Sequence, residues 1–174
     1  ALIATQKKTH GASYVAFELH GFSRPAADFA AAEKLAEQYD IVPIMSDTAA
    51  ETDSRFGTAV EHMKKLMALS GKRVVCTIED AEPLGPKQPM DALLIAPCTG
   101  NTMAKLANDI IDGPATMAVK SHLRKEKPVI IAISTNNGLS NSAQNIGKLL
   151  NYNHYFFVPF KQDNPITKPR FNCI

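Results

Sequence analysis

Two short segments of this chain, Leu93-Leu94-Ile95-Ala96 and Val129-Ile130-Ile131-Ala132-Ile133, are apolar at every position. A strand with one wet face alternates apolar and polar residues. An unbroken run therefore marks a strand covered on both sides, as in a parallel sheet. Further β-rich runs occupy 14–19, 41–45, 73–78 and 155–158. Between the runs lie single apolar stripes at helical spacing. They are Ala32, Leu35, Ala36 and Tyr39; then Phe56, Val60, Met63 and Met67; then Met103, Leu106, Ala107 and Ile110. Gly113-Pro114 ends one helix and starts another that reaches about Lys125, and a last helix spans roughly 142–150. This alternation predicts an α/β fold, Rossmann-like and doubly wound, with about six parallel strands, helices on both faces and right-handed crossovers.

The 174 residues suit one domain, 1–174, that buries roughly 70% of its unfolded surface. Residues 1–12 read as a loose N-terminus and 160–174 as an extended tail. The net charge of +2 gives no electrostatic footprint for nucleic acid. No apolar run approaches the ~20 residues of a membrane span, and residues 1–11 lack the apolar core of a secretory signal. The 3 cysteines, Cys76, Cys98 and Cys173, have no metal-ligand spacing, so no metal is expected. Their sparse, odd count suits the reduced thiols of a cytoplasmic protein. The segment 82–89 holds three prolines, Pro83, Pro86 and Pro89. It reads as a surface connection, or more sharply as a rigid arm over a pocket or an oligomer interface.

In an open α/β sheet, ligands bind beyond the carboxyl ends of the strands. Four such ends carry hydroxyls: His20-Gly21-Phe22-Ser23, Ser46-Asp47-Thr48, Pro97-Cys98-Thr99-Gly100-Asn101-Thr102 and Ser134-Thr135-Asn136-Asn137-Gly138. Hydroxyls and amides donate without adding charge, and helix N-termini add unpaired N–H groups, so the rim suits a phosphate-bearing ligand. Any one of these loops is more often a helix cap than a site; four in register point to a ligand. Dinucleotide, P-loop and nucleophile-elbow motifs are absent. His62 and His122 fall within helices and read as structural or solvated, while His20 ends the first run beside the rim. Cys98, next to an apolar strand, reads as a buried thiol. Lys105 reads as solvated or paired on its helix. No side chain offers itself as a general base.

The segment Pro97-Cys98-Thr99-Gly100-Asn101-Thr102-Met103-Ala104-Lys105 resembles the P-[AC]-[ST]-x-N-[ST]-x-[AS]-K signature of the flavoprotein family of homo-oligomeric cysteine decarboxylases. Further residues carry the likeness: Thr52-Asp53-Ser54-Arg55-Phe56-Gly57, Ala81 to Lys87, Lys127-Pro128-Val129, and Tyr155-Phe156-Phe157-Val158-Pro159-Phe160. The resemblance covers about residues 40 to 170. It implies a Rossmann-like fold binding FMN through Gly21, Ser23, Ser46, Thr99, Gly100, Asn101, Thr102, Ser134, Thr135 and Asn136. It also implies a trimer-based homo-oligomer and a partner subunit carrying NAD(P). Together they would oxidise dihydrodipicolinate to dipicolinate in the cytoplasm of the mother cell during sporulation. An FMN-dependent decarboxylase and a non-catalytic scaffold with a vestigial flavin site are the alternatives. The family's decarboxylases carry a catalytic histidine near the position of Pro83, and here no histidine lies between His62 and His122. The first forty residues depart from the family, with bulky His20 and Phe22 in the first turn, as do the last four.

Overall fold

The computed structural model describes residues 25–53, 57–162 and 166, with side chains from Phe29 onward. Its sheet has three parallel strands, β1 (Leu93–Cys98), β2 (Val129–Ile133) and β3 (Tyr155–Phe157), in the order β1-β2-β3. Leu93 pairs with Val129, and Val129 with Tyr155. The register shifts between Ile95 and Cys98, where Pro97 brings no N–H to the ladder.

The sequence predicts about six strands, whereas the described residues contain three. The run 14–19 lies outside them. The runs at 41–45 and 73–78 do meet in parallel, but only as an isolated bridge between Ile44 and Val75. Val75 N–H donates to the Pro43 carbonyl at 2.8 Å, and Met45 N–H donates to the Val75 carbonyl at 2.9 Å. In a parallel ladder the N–H groups facing one neighbour recur every second residue. Behind Met45 the next in line is residue 43, and Pro43 has none to give. The ladder stops there, although Ile44 and Met45 are fully buried.

Seven helices complete the described part: α1 (Pro25–Gln38), α2 (Asp47–Glu51), α3 (Ala59–Ser70), α4 (Ile78–Ala81), α5 (Gly100–Ala107), α6 (Pro114–Leu123) and α7 (Asn141–Leu150). The stripe expected on α3 is corrected. Val60 and Met67 are exposed, and the buried residues are Ala59, His62 and Leu66. The buried face is offset by one residue because His62 counts as core: its ring lies 5.9 Å from that of Phe29. Phe56 lies outside the described residues. Helix α5 also ends earlier than its stripe suggests. Asn108 caps it, its side-chain amide donating to the Ala104 carbonyl at 2.8 Å, and Ile110 stands beyond the helix, exposed.

The segment 82–89 is not an arm. Gly85 N–H donates to the Gln88 carbonyl, and the N–H groups of Lys87 and Gln88 both donate to the Pro83 carbonyl. Leu84 and Gly85 are buried. Gly85 has φ +118°, and a Cβ there would lie 2.4 Å from the Ser121 carbonyl oxygen of α6. Only glycine permits both that backbone angle and that approach.

The unbroken apolar runs lead one to expect helices on both faces of the sheet. Leu93, Ile95, Val129, Ile131 and Ile133 are buried, but Leu94, Ile130 and Ala132 on the other face are only half-buried, and Phe156 on β3 is exposed. An apolar run reports that a face wants cover; it does not say what supplies it. Among the described residues no helix is long and apolar enough to cross a membrane.

Candidate functional site

The carboxyl ends of β1 and β2 lie side by side, and Ser134 N–H donates to the Cys98 carbonyl at 2.9 Å. From there β1 turns into α5 and β2 into a tight loop. Thr99 is the N-cap of α5, with an extended backbone and a hydroxyl that accepts from Thr102 N–H at 3.3 Å. Met103 N–H donates to the Thr99 carbonyl. The N–H groups of Gly100 and Asn101 stand at the helix mouth with no intrahelical acceptor.

Gly100 is where the two loops touch. A Cβ there would lie 2.9 Å from Thr135 Oγ1, 3.1 Å from Ser142 Oγ and 3.3 Å from Asn137 Oδ1. The Thr135 hydroxyl donates to Asn137 Oδ1 at 2.6 Å, and Ser142 Oγ–H donates to the same oxygen. Asn137 thus ties the loop after β2 to the start of α7. Sequence reasoning places Asn137 in the rim loop but not among the FMN contacts, and leaves Ser142 out altogether; side-chain amides and hydroxyls a few residues apart are the available signal.

Ser46 belongs to a second cluster. It caps the short helix α2, accepting from Ala49 N–H at 3.4 Å, and is buried. The neighbouring Asp47 carboxylate sits where a Cβ on Gly113 would be, 2.7 Å away. Gly113 is the N-cap of α6, so the start of this helix also opens at this end of the sheet. Asn101 and Asn136 are exposed, whereas Ser134 and Thr135 are half-buried. Gly21 and Ser23, with His20, lie outside the described residues.

The other candidates fall into place as structure. Cys98 is fully buried, its thiol donating to the Thr99 carbonyl at 3.8 Å. Lys105 pairs with Asp112 at 2.9 Å. His62 and His122 are both buried. His122 Nε2 lies 3.0 Å from the Pro128 carbonyl. That carbonyl only accepts, so Nε2 carries the proton and Nδ1 is a bare, buried acceptor without a partner. Burial pushes the imidazole pKa down to about 4, the Pro128 hydrogen bond opposing and Lys127 adding to the fall. Pro128 precedes β2, so His122 sits at the opposite end of the sheet from the rim. A cavity of about 30 Å³ lined by Lys105, Ile110, Lys120 and Tyr155 has room for a water or two and is far too small for a flavin. Burial, then Asp109, raises the Tyr155 phenol well above its usual range.

Among the described residues no group of His, Cys, Asp and Glu is placed to hold a metal. While the Asp47 carboxylate stands apart in the second cluster beside Gly113, around Gly100 the rim offers neutral groups: hydroxyls, amides and helix-start N–H groups, with that glycine at the point of closest approach. That donor set fits the phosphate of a mononucleotide.

The fold is a parallel α/β sheet with a polar rim, and the Flavoprotein family profile matches residues 23–170. The chain belongs to the Flavoprotein family. It is similar to the B subunit of dipicolinate synthase of Bacillus subtilis (strain 168), with 42% identity over 137 residues, covering 79% of this chain and 68% of the relative. The crystal structure of the dipicolinate synthase B subunit from Bacillus halodurans C superposes with a TM-score of 0.82 at 36% identity, covering 93% of this chain and 84% of that one. The FMN-dependent cysteine decarboxylase SpaF shares the fold, with a TM-score of 0.69 at 22% identity over 93% of this chain and 89% of its own.

Proposed function

We propose that this chain is the flavin-binding subunit of a dipicolinate synthase. It acts with a nicotinamide-binding partner, the dipicolinate synthase A subunit, in oxidising dihydrodipicolinate to dipicolinate during sporulation, in the mother-cell cytoplasm. The observation that carries the reading is the neutral cradle around Gly100, in a chain 42% identical over 137 residues to a dipicolinate synthase B subunit. Thr99, Gly100, Asn101 and Thr102 would hold the FMN phosphate at the start of α5. Ser134, Thr135 and Asn136 would flank it, and Ser46, with Gly21 and Ser23, would line the other bank. FMN, once bound, supplies an electron acceptor and donor; the side chains bind it, orient it and exclude water. NAD(P) belongs to the nicotinamide-binding partner. The decarboxylase alternative is weaker because His62 and His122 are buried in helices and no histidine lies between them.

The same reading takes residues 1–174 as one domain with a sheet of about six strands; 1–12, 14–19 and most of 160–174 lie outside the described residues. It includes self-association, trimer-based, as the family resemblance implies.

The test is purification and turnover. The protein should carry the yellow of a flavin, with FMN identified by mass after release. Supplied with dihydrodipicolinate and NAD(P), it should form dipicolinate only when the nicotinamide-binding partner is added. A colourless protein that takes up no FMN would reduce it to a scaffold. Brisk turnover by the chain alone would mean that a catalytic group has been missed.

A further inference from the structure

We propose that Asn137 reads an oxyanion of the bound ligand through its side-chain Nδ2, and that Thr135 and Ser142 are the positioning residues that aim it. This role rests on the flavin site proposed above and adds to it a specificity-determining group. The oxyanion is the FMN phosphate or a carboxylate of the dicarboxylate substrate.

Asn137 is held at every hydrogen-bonding group but one. Its N–H donates to Thr135 Oγ1 at 3.4 Å. Its backbone carbonyl accepts from the N–H groups of Ser140 at 3.0 Å and Ser142 at 3.2 Å, and from the Ser140 hydroxyl at 3.2 Å. Its Oδ1 takes the protons of two hydroxyls, that of Thr135 at 2.6 Å and that of Ser142. Only Nδ2, with two protons, has no acceptor among the described residues. The amide turns only by breaking both hydroxyl contacts, one of them to a serine that is 3% exposed.

That open donor stands at the mouth of α5. Oδ1 lies 3.3 Å from where a Cβ on Gly100 would be. In a planar amide the nitrogen is about 2.3 Å from the oxygen, so Nδ2 stays within roughly 6 Å of that point. An oxyanion held by the free N–H groups of Gly100 and Asn101 is within its reach.

The choice of amide over carboxylate points to the ligand. Taking two hydroxyl protons beside the start of α7 is work that aspartate does better, because an ionised acceptor strengthens both bonds and suits a helix N-terminus. Asparagine forgoes that gain. What it adds is neutrality and a donor, and both serve an anion. The same network changes the part played by Thr135. Its one proton is spent on Asn137, so towards a ligand its hydroxyl only accepts.

The experiment titrates the full chain with FMN, with riboflavin, which lacks the phosphate, and with dipicolinate, alongside denaturant unfolding. Asn137→Asp should unfold at a midpoint no lower than wild type. Where the oxyanion is the phosphate, FMN affinity should fall about 100-fold while riboflavin affinity hardly moves. Where it is the carboxylate, both flavins should bind as before and dipicolinate affinity should fall by about the same factor. Ser142→Ala, which frees the amide to swing, should cost about tenfold for the same ligand and nothing for riboflavin. A wild type that binds neither FMN nor dipicolinate overturns the flavin site and this role with it. Wild-type binding with Asn137→Asp unchanged towards all three ligands overturns this role and leaves the site standing. Equal losses for FMN and riboflavin overturn it too, since Asn137 would then shape the cavity rather than read a charge. Should Asn137→Asp fail to fold, the wild-type side-chain amide resonances of Asn137 decide. They should shift with FMN but not riboflavin, or with dipicolinate; resonances unmoved by any bound ligand overturn the role.

Discussion

Gly100 and Thr135 stand so close that a methyl group on the glycine would meet the threonine hydroxyl at 2.9 Å. The contact joins the start of α5 to the loop after β2 and sets the width of the cradle. Gly100→Ala should therefore act on the ligand more than on the fold. Alanine favours a helix by up to about 1 kcal/mol over glycine, which offsets much of the crowding against a hydroxyl that can shift. The expected result is a roughly tenfold loss of FMN affinity by fluorescence titration, with a melting temperature close to wild type.

Thr99 and Asn101 separate capping from binding. Thr99→Ala removes the N-cap and should cost about 1 kcal/mol of folding stability by denaturant titration. Asn101 is exposed and caps nothing. Asn101→Ala should leave stability within ~0.5 kcal/mol and weaken FMN by about 1–3 kcal/mol, the cost of a lost hydrogen bond to a charged group. Unchanged affinity in a folded Asn101→Ala variant would remove this residue from the site.

His122 should make the fold acid-sensitive. Its pKa is about 4 folded against 6.5 for the free side chain. Between those values the unfolded chain binds the extra proton and the native one does not, so stability falls as pH drops from about 6.5 to 4. The loss attributable to this residue is on the order of 3 kcal/mol. Denaturant midpoints measured across that window should show it, and His122→Gln should flatten the slope.

Gly85 should tolerate no side chain. A Cβ at φ +118° lies 2.4 Å from a backbone carbonyl oxygen of α6, and backbone does not swing aside as a side-chain tip does. Gly85→Ala should destabilise by about 2–4 kcal/mol, read as a lower midpoint in chemical denaturation.

On α3 the corrected face predicts opposite outcomes one helical step apart. Leu66→Ala empties a fully buried site and should cost about 2–5 kcal/mol. Met67→Lys, at an exposed position, should stay within ~0.5 kcal/mol. Equal effects in thermal melts would contradict the assignment.

What the sequence discloses follows from the range of each interaction. The stretch from Leu93 to Ala107 is readable because its signals are local: an apolar run, then a threonine cap, then a stripe at helical spacing. The α3 face is misread when His62 is counted as polar, and only its ring contact with Phe29 puts it in the core. Pro43 is visible in the chain, but its effect depends on which neighbour the N–H of that position would have faced. The meeting of Gly100 with Thr135, Asn137 and Ser142 joins segments more than thirty residues apart, and no local pattern encodes such a distance.

The proline that cuts the Ile44–Val75 ladder short gives the two banks of the rim different mechanical characters. On one bank, Thr99 and Ser134 are anchored by the continuous backbone pairing of β1 with β2. On the other, among the described residues, Ser46 follows a segment held to Val75 by two backbone hydrogen bonds and by the packing of Ile44 and Met45. A rigid jaw thus faces a compliant one. Amide protons of Met45 and Val75 should exchange through smaller openings than those of Ile131 and Leu93, and ligand binding should slow the compliant jaw far more than the rigid one.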